Sequence, residues 1–169
     1  MIRERKLLRL KGYNYSRPGA YFITICTQNR ECFFGNIDNG KMVLNECGKI
    51  VEQQWRWLFD QYDYLKMGEY CIMPNHFHGI IWICPVMVGN GRDRSLPLPD
   101  NKKIKPISEL MGAFKTTSSK LIHLNVTQSF KWQKSFYDVI IRNDESYHRI
   151  VEYIKNNPRN WEQDNYYGK

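Results

Sequence analysis

Apolar positions along the chain follow two periods, one of strands and one of helices. Tyr21 to Thr27 is rich in β-branched and aromatic residues and predicts a first strand. Behind Asn45, a residue suited to capping a helix, Cys47, Ile50, Val51, Trp55, Leu58 and Phe59 recur at helical spacing. Leu65 to Ile72 reads as a second strand. Met73-Pro74-Asn75 then turns the chain into His76 to Ile83, which makes that pair antiparallel. A second helical stripe of Ile107, Leu110, Met111, Phe114, Leu121 and Ile122 has Ser108 as its expected cap. Trp132-Gln133 precedes a strand over Phe136 to Arg142. Asp144 and Glu145 favour the positive end of a last helix whose stripe is Tyr147, Ile150, Val151 and Ile154, and Pro158 stops it. The order β-α-β-β-α-β-α predicts an α+β fold, a ferredoxin-like βαββαβ antiparallel sheet of about four strands with an additional C-terminal helix.

The strand beginning at His76 carries the first candidate chemistry. Alternation puts His76, His78, Ile80 and Trp82 on one face and Phe77, Ile81 and Ile83 on the other, so both faces are largely apolar. That is the pattern of an interior strand covered on both sides. Two imidazoles at i and i+2 can each direct one nitrogen to a single divalent cation. An isolated pair of this kind equally suits hydrogen-bonded core histidines. A further ligand and a reactive group are needed before the pair means chemistry.

Composition narrows the setting. The 169 residues suit one domain over 1–169, and 42% hydrophobic content is enough for a substantial core. A formal charge of +8 favours polyanionic partners, chiefly nucleic acid. The excess is concentrated in an N-terminal arm over 1–17, where Arg3, Arg5, Lys6, Arg9, Lys11 and Arg17 face a single acid, Glu4, with Tyr13 and Tyr15 interleaved. Cations with aromatics are what a phosphate backbone and its unstacked bases use. Residues 85–106 contain four prolines, Pro85, Pro97, Pro99 and Pro106, and no hydrophobic period, which predicts a long mobile loop inserted in the domain. Lys115 with Thr116, Thr117, Ser118 and Ser119 offers a cation and four hydroxyls that suit phosphate oxygens as well as solvent. Five cysteines, none spaced C-x-x-C, indicate neither a disulfide framework nor a cysteine zinc site, and reduced thiols in a cytoplasm are the simplest account. The longest apolar run is too short to cross a bilayer, so no membrane role is expected.

On the last helix, Tyr153 and Asn157 sit one above the other at the edge of the apolar stripe, where a hydroxyl can face a cleft. Pro158 is expected to push the Asn157 backbone out of the α-region. Three motifs in order now form a larger pattern: Glu69-Tyr70-Cys71-Ile72-Met73-Pro74-Asn75-His76-Phe77-His78, then Trp132-Gln133 with Phe136 to Arg142, then Tyr153-Ile154-Lys155-Asn156-Asn157-Pro158. They resemble the REP-associated tyrosine transposases, members of the single-tyrosine HUH nucleases named for a His-hydrophobic-His motif. The resemblance runs from about Gly19 to Trp161.

The resemblance implies metal-dependent cleavage and strand transfer of single-stranded DNA near hairpins through a 5′-phosphotyrosine. Carried onto these positions, it makes His76, His78 and Asn157 the ligands of a divalent cation, magnesium or manganese, and Tyr153 the nucleophile. It is compatible with a monomer or a homodimer. Many relatives have a histidine where Val139 stands, a departure that leaves the proposed triad intact. The competing reading is a non-catalytic module of the same fold that binds structured nucleic acid through the basic arm and Lys115. A two-histidine phosphoesterase needs two separate H-x-Ser/Thr motifs, and only one histidine pair is present.

Overall fold

The computed structural model describes residues 12–85 and 104–167. Arg3, Arg5, Lys6, Arg9, Lys11 and most of the 85–106 insertion therefore lie outside the described residues. In chain order the elements are β1 (Gly19–Cys26), β2 (Gly35–Asp38), β3 (Lys41–Leu44), α1 (Glu46–Gln61), β4 (Leu65–Met73), β5 (His76–Ile83), α2 (Ile107–Asn125), β6 (Tyr137–Ile141) and α3 (Asp144–Asn156). Short 3₁₀ turns lie at Gln28–Arg30 and Trp161–Gln163. The main sheet runs β4-β5-β1-β6, with each adjacent pair antiparallel. This is the predicted α+β, ferredoxin-like order, with α3 appended.

The helix starts follow from their caps. The Asn45 side chain accepts the Gly48 amide at 3.0 Å, and Asn143 accepts that of Ser146 at 2.8 Å, each relieving an amide that has no partner inside its helix. The expectation for α2 needs correction. Pro106 occupies the cap position and Ser108 lies inside the helix, because proline's fixed φ already suits the step into the first turn. A second correction is the hairpin β2–β3, absent from the expected order. Its signal was Asn39-Gly40, whose φ values of 49° and 71° suit the two centre positions of a tight hairpin turn.

Alternation along β1 and β5 divides the interior in two. Tyr21, Ile23, Ile25, Phe77, Ile81 and Ile83 face α1 and α2, where Trp55, Leu58, Met111 and Phe114 complete the main core. Ala20, Phe22 and Ile80 face α3, where they form a smaller cluster with Ile154. Across the sheet, His76 pairs with Cys26 and His78 with Thr24, which places both imidazoles at one end of the α3 face.

Gly79 lies on the crowded side. A Cβ there would meet Phe77 and the Trp55 ring at 2.7 Å, inside van der Waals contact. Gly112 on α2 has nothing within 4 Å of the same position. We expect Gly79→Ala to lower unfolding free energy by roughly 1–3 kcal/mol through overpacking. Gly112→Ala should instead raise it by about 1 kcal/mol through helix propensity. Urea titrations of the two variants check the contrast.

Candidate active site

The two imidazoles are withdrawn from water, His76 fully and His78 at 1% exposure. Their ring centroids lie 4.5 Å apart. Each Nδ1 has a fixed partner. The Asn75 amide donates through Nδ2 to the carbonyls of Arg30 at 3.1 Å and Tyr166 at 2.9 Å, so its Oδ1 faces His76 Nδ1 at 2.8 Å as an acceptor. His76 therefore carries its proton on Nδ1, and Nε2 presents a bare lone pair. That Nε2 is buried without a hydrogen-bond partner. His78 Nδ1 lies 2.8 Å from Thr24 Oγ1, its neighbour across β1. In the tautomer that donates Nδ1–H to the Thr24 hydroxyl, Nε2 accepts from the Tyr153 hydroxyl at 3.2 Å.

Helix α3 brings Tyr153 there. Its apolar stripe packs on the sheet, Tyr147 meeting the Trp82 ring at 5.4 Å, while Tyr153 stays at the edge, 43% exposed. One turn later Asn157 is buried, and its Oδ1 has no hydrogen-bond partner. The expected effect of Pro158 on this residue is corrected: Asn157 is helical, with φ −56° and ψ −44°. The chain carries the helical path onward, Asn160 N–H donating to the carbonyls of Asn156 and Asn157, and this tertiary setting overrides the proline preference.

Burial sets the electrostatics. Desolvation lowers the His76 pKa to about 3 and holds that of His78 well below its ordinary value. Both are neutral imidazoles, the form in which histidine binds metals. Burial also pushes the Tyr153 phenol above its usual range, and the nearby Asp164 carboxylate adds to the rise. One ligand atom each from His76, His78 and Asp164 lie within 4.8 Å of one another. The bare Nε2 of His76, the Nε2 of His78 that meets only the Tyr153 hydroxyl, an amide oxygen without a donor and a carboxylate form a donor set that suits a divalent cation.

The structure thus brings together the four side chains that the sequence singled out as ligands and nucleophile: His76, His78, Asn157 and Tyr153. An open cavity of about 430 Å³ lies against Tyr153, Asn157, Asp164 and Arg149. Arg17 lies beyond the Gly19 end of β1, whereas the imidazoles oppose its Cys26 end. Lys115 donates its ammonium to the carbonyls of Gln133 at 2.6 Å and Lys134 at 3.0 Å. Of the hydroxyls around it, Thr117 and Ser118 turn back to helix carbonyls, and Ser118 also accepts the Trp132 indole N–H at 3.0 Å. Thr24, Asn75 and Asp164 are site residues that the sequence reading missed. Only Asn75, next to His76, had a local signal.

No family model matches the chain. A Haemophilus influenzae (strain ATCC 51907 / DSM 11121 / KW20 / Rd) protein described as uncharacterized is 40% identical over 170 residues, covering 98% of this chain and 94% of its own. Among solved structures, a REP-associated tyrosine transposase bound to a REP hairpin superposes with a TM-score of 0.57 at 18% identity, covering 90% of this chain and 73% of that one. A candidate transposase of Deinococcus radiodurans R1 gives a TM-score of 0.47 at 15% identity, over 88% of this chain and 97% of that one. The chain therefore has a transposase-like fold.

The buried imidazoles predict an acid sensitivity. In the unfolded chain a histidine takes up a proton near its ordinary value of about 6.5. In the fold His76 resists protonation down to about 3. Between these values the unfolded state binds more protons, so their stabilising effect is complete above about pH 6.5 and is lost as pH falls toward 3. With chelator present, the urea midpoint should drop between pH 7 and pH 5, and His76→Asn should flatten the drop. Denaturation curves across that range measure it.

Proposed function

The chain belongs to one family with the 40%-identical Haemophilus influenzae protein, and we propose that it is a divalent-cation-dependent enzyme that cuts and rejoins single-stranded DNA at hairpins. The supporting observation is the Tyr153 hydroxyl, 3.2 Å from His78 Nε2 of the same chain and at the wall of an open cavity. The fold it shares with a transposase that was solved on a REP hairpin agrees with this reading.

His76 and His78 hold the cation, magnesium or manganese, with Asn157 Oδ1 as a third ligand. When bound, it neutralises charge on the scissile phosphate and eases loss of the phenolic proton. Tyr153 supplies the nucleophile. Its oxygen forms a bond to phosphorus, the bond from phosphorus to the 3′ oxygen breaks, the phenolic proton passes to solvent, and the departing oxygen takes up a proton as a free 3′-hydroxyl. The product is a 5′-phosphotyrosyl chain. Ester replaces ester, so a DNA 3′-hydroxyl can reverse the step without ATP. Asn75 and Thr24 fix the imidazoles through their Nδ1 atoms, which leaves the Nε2 atoms directed into the site. Arg149, one turn before Tyr153 on the cavity wall, offers a cation to the neighbouring phosphate.

The test is a covalent adduct. Hairpin oligonucleotides from the DNA flanking the gene should yield a denaturation-resistant protein–DNA band with manganese. Chelator, Tyr153→Phe and His76→Ala should each abolish it. Hairpin binding that survives all three changes, with no adduct from wild-type protein, would make the chain a binding module instead.

A further inference from the structure

We infer that Asp164 is a further protein ligand of the cation held by His76 and His78, so that cation binding and the seating of the C-terminal turn are one event. The inference rests on the proposed cation site and deepens it.

Asp164 lies outside the strand and helix that carry the other ligands, on the turn that follows Trp161–Gln163. Its Oδ2 accepts the Asn157 Nδ2 amide at 2.7 Å, and its Oδ1 accepts the backbone amide of Tyr166 at 2.7 Å. A carboxylate has about four lone-pair directions, so about two are left. No lysine or arginine among the described residues forms an ion pair with it. The hydrogen bond to Asn157 also decides which end of that amide is free. With Nδ2 donated to Asp164, Oδ1 is left buried and without a partner. His76 Nε2 is in the same condition. These two buried lone pairs without a donor lie beside a carboxylate, all three repel one another, and a cation between them resolves the repulsion.

Charge favours the same conclusion. Two neutral imidazoles and an amide bring no negative charge to a hard divalent ion, which prefers anionic oxygen. Asp164 brings one. The turn that carries it is tied to the imidazoles as well. Asn75, which fixes the proton of His76, also donates to the Tyr166 carbonyl, and the Tyr166 ring lies 4.5 Å from that of His76. Arg30 donates to the Asn165 carbonyl at 3.1 Å and stacks over Tyr166 at 5.1 Å. A cation gripped by Asp164 therefore stabilises the whole turn by mass action.

Manganese titrations of the full chain by calorimetry test this, with no DNA present. Asp164→Ala should weaken manganese binding by about 10- to 100-fold. Asp164→Asn is isosteric and can keep the bond from the Tyr166 amide through its one oxygen, and it should weaken binding similarly, which covers the case of an Ala variant that folds poorly. The loss should persist in an Asn157→Ala background, because a direct ligand does not act through the amide. Manganese should also slow hydrogen exchange at 161–167 in wild-type protein and leave it unchanged in the Asp164 variants. Equal manganese affinity in wild-type and Asp164 variants overturns the inference and leaves the cation site standing. A loss that vanishes once Asn157 is gone also overturns it, since Asp164 then only orients the amide. Wild-type protein that binds no manganese overturns the inference and the proposed function together.

Discussion

Two neutral imidazoles held out of water are the constraint on which the rest of the site depends. Burying them is unfavourable unless their polar atoms are matched, and the matching of the two Nδ1 atoms comes from register and the adjoining turn. Thr24 meets His78 because those residues face each other across β1 and β5. Asn75 reaches His76 because the β4–β5 turn is clamped, its carbonyl accepting both the amide and the hydroxyl of Thr27. A slip of one residue would turn both imidazoles into the aromatic core beneath Trp55 and Phe114, where no partner waits. The fold and the site are thus specified by one pairing.

The two faces of the sheet divide the labour. Toward α1 and α2 lies a dense aromatic interior, with Trp55 and Phe77 centroids at 4.6 Å and Phe77 and Phe114 at 5.4 Å. Such packing rewards rigidity. Toward α3 the cluster is small, and Ile154 is the single buried residue of that helix. The rest of its stripe, Tyr147, Ile150 and Val151, is only partly buried, and an exposed pair between Lys155 and Glu69 at 3.6 Å adds to the docking. Exposed pairs of this kind contribute little. The helix that carries the tyrosine is therefore the least firmly docked of the three.

Much of this was legible in the sequence, for identifiable reasons. Strand β5 announced itself because a period of two with apolar residues on both faces has few other meanings. Tyr153 and Asn157 could be placed on one helix edge because helical spacing is regular enough to project. The hairpin was harder, since four-residue strands are too short to display alternation, and only Asn39-Gly40 marked it. Thr24 was unreadable as a site residue. Its role depends on which residue of another strand faces it, and a pattern along one strand does not contain that. Asp164 was hidden differently. It sits in a polar turn, Gln163-Asp164-Asn165, where nothing in the local sequence separates a ligand from a solvated acid.

A lone pair serves one partner at a time, and this gives the phenol a double position. At His78 Nε2 the Tyr153 hydroxyl occupies the direction that a cation would need. Binding at that nitrogen therefore displaces the phenol, and the displaced oxygen has the open cavity beside it. Movement in that direction is cheap. The ring is 43% exposed, its packing is edge-on against Phe22 at 6.2 Å, and its helix is lightly anchored. The imidazoles are in the opposite situation, buried and hydrogen-bonded to the sheet and the β4–β5 turn. For the transfer proposed above, firmly held imidazoles beside a lightly packed phenol suit reversibility, since the tyrosine would approach phosphorus, carry the strand and withdraw while the imidazoles keep their places.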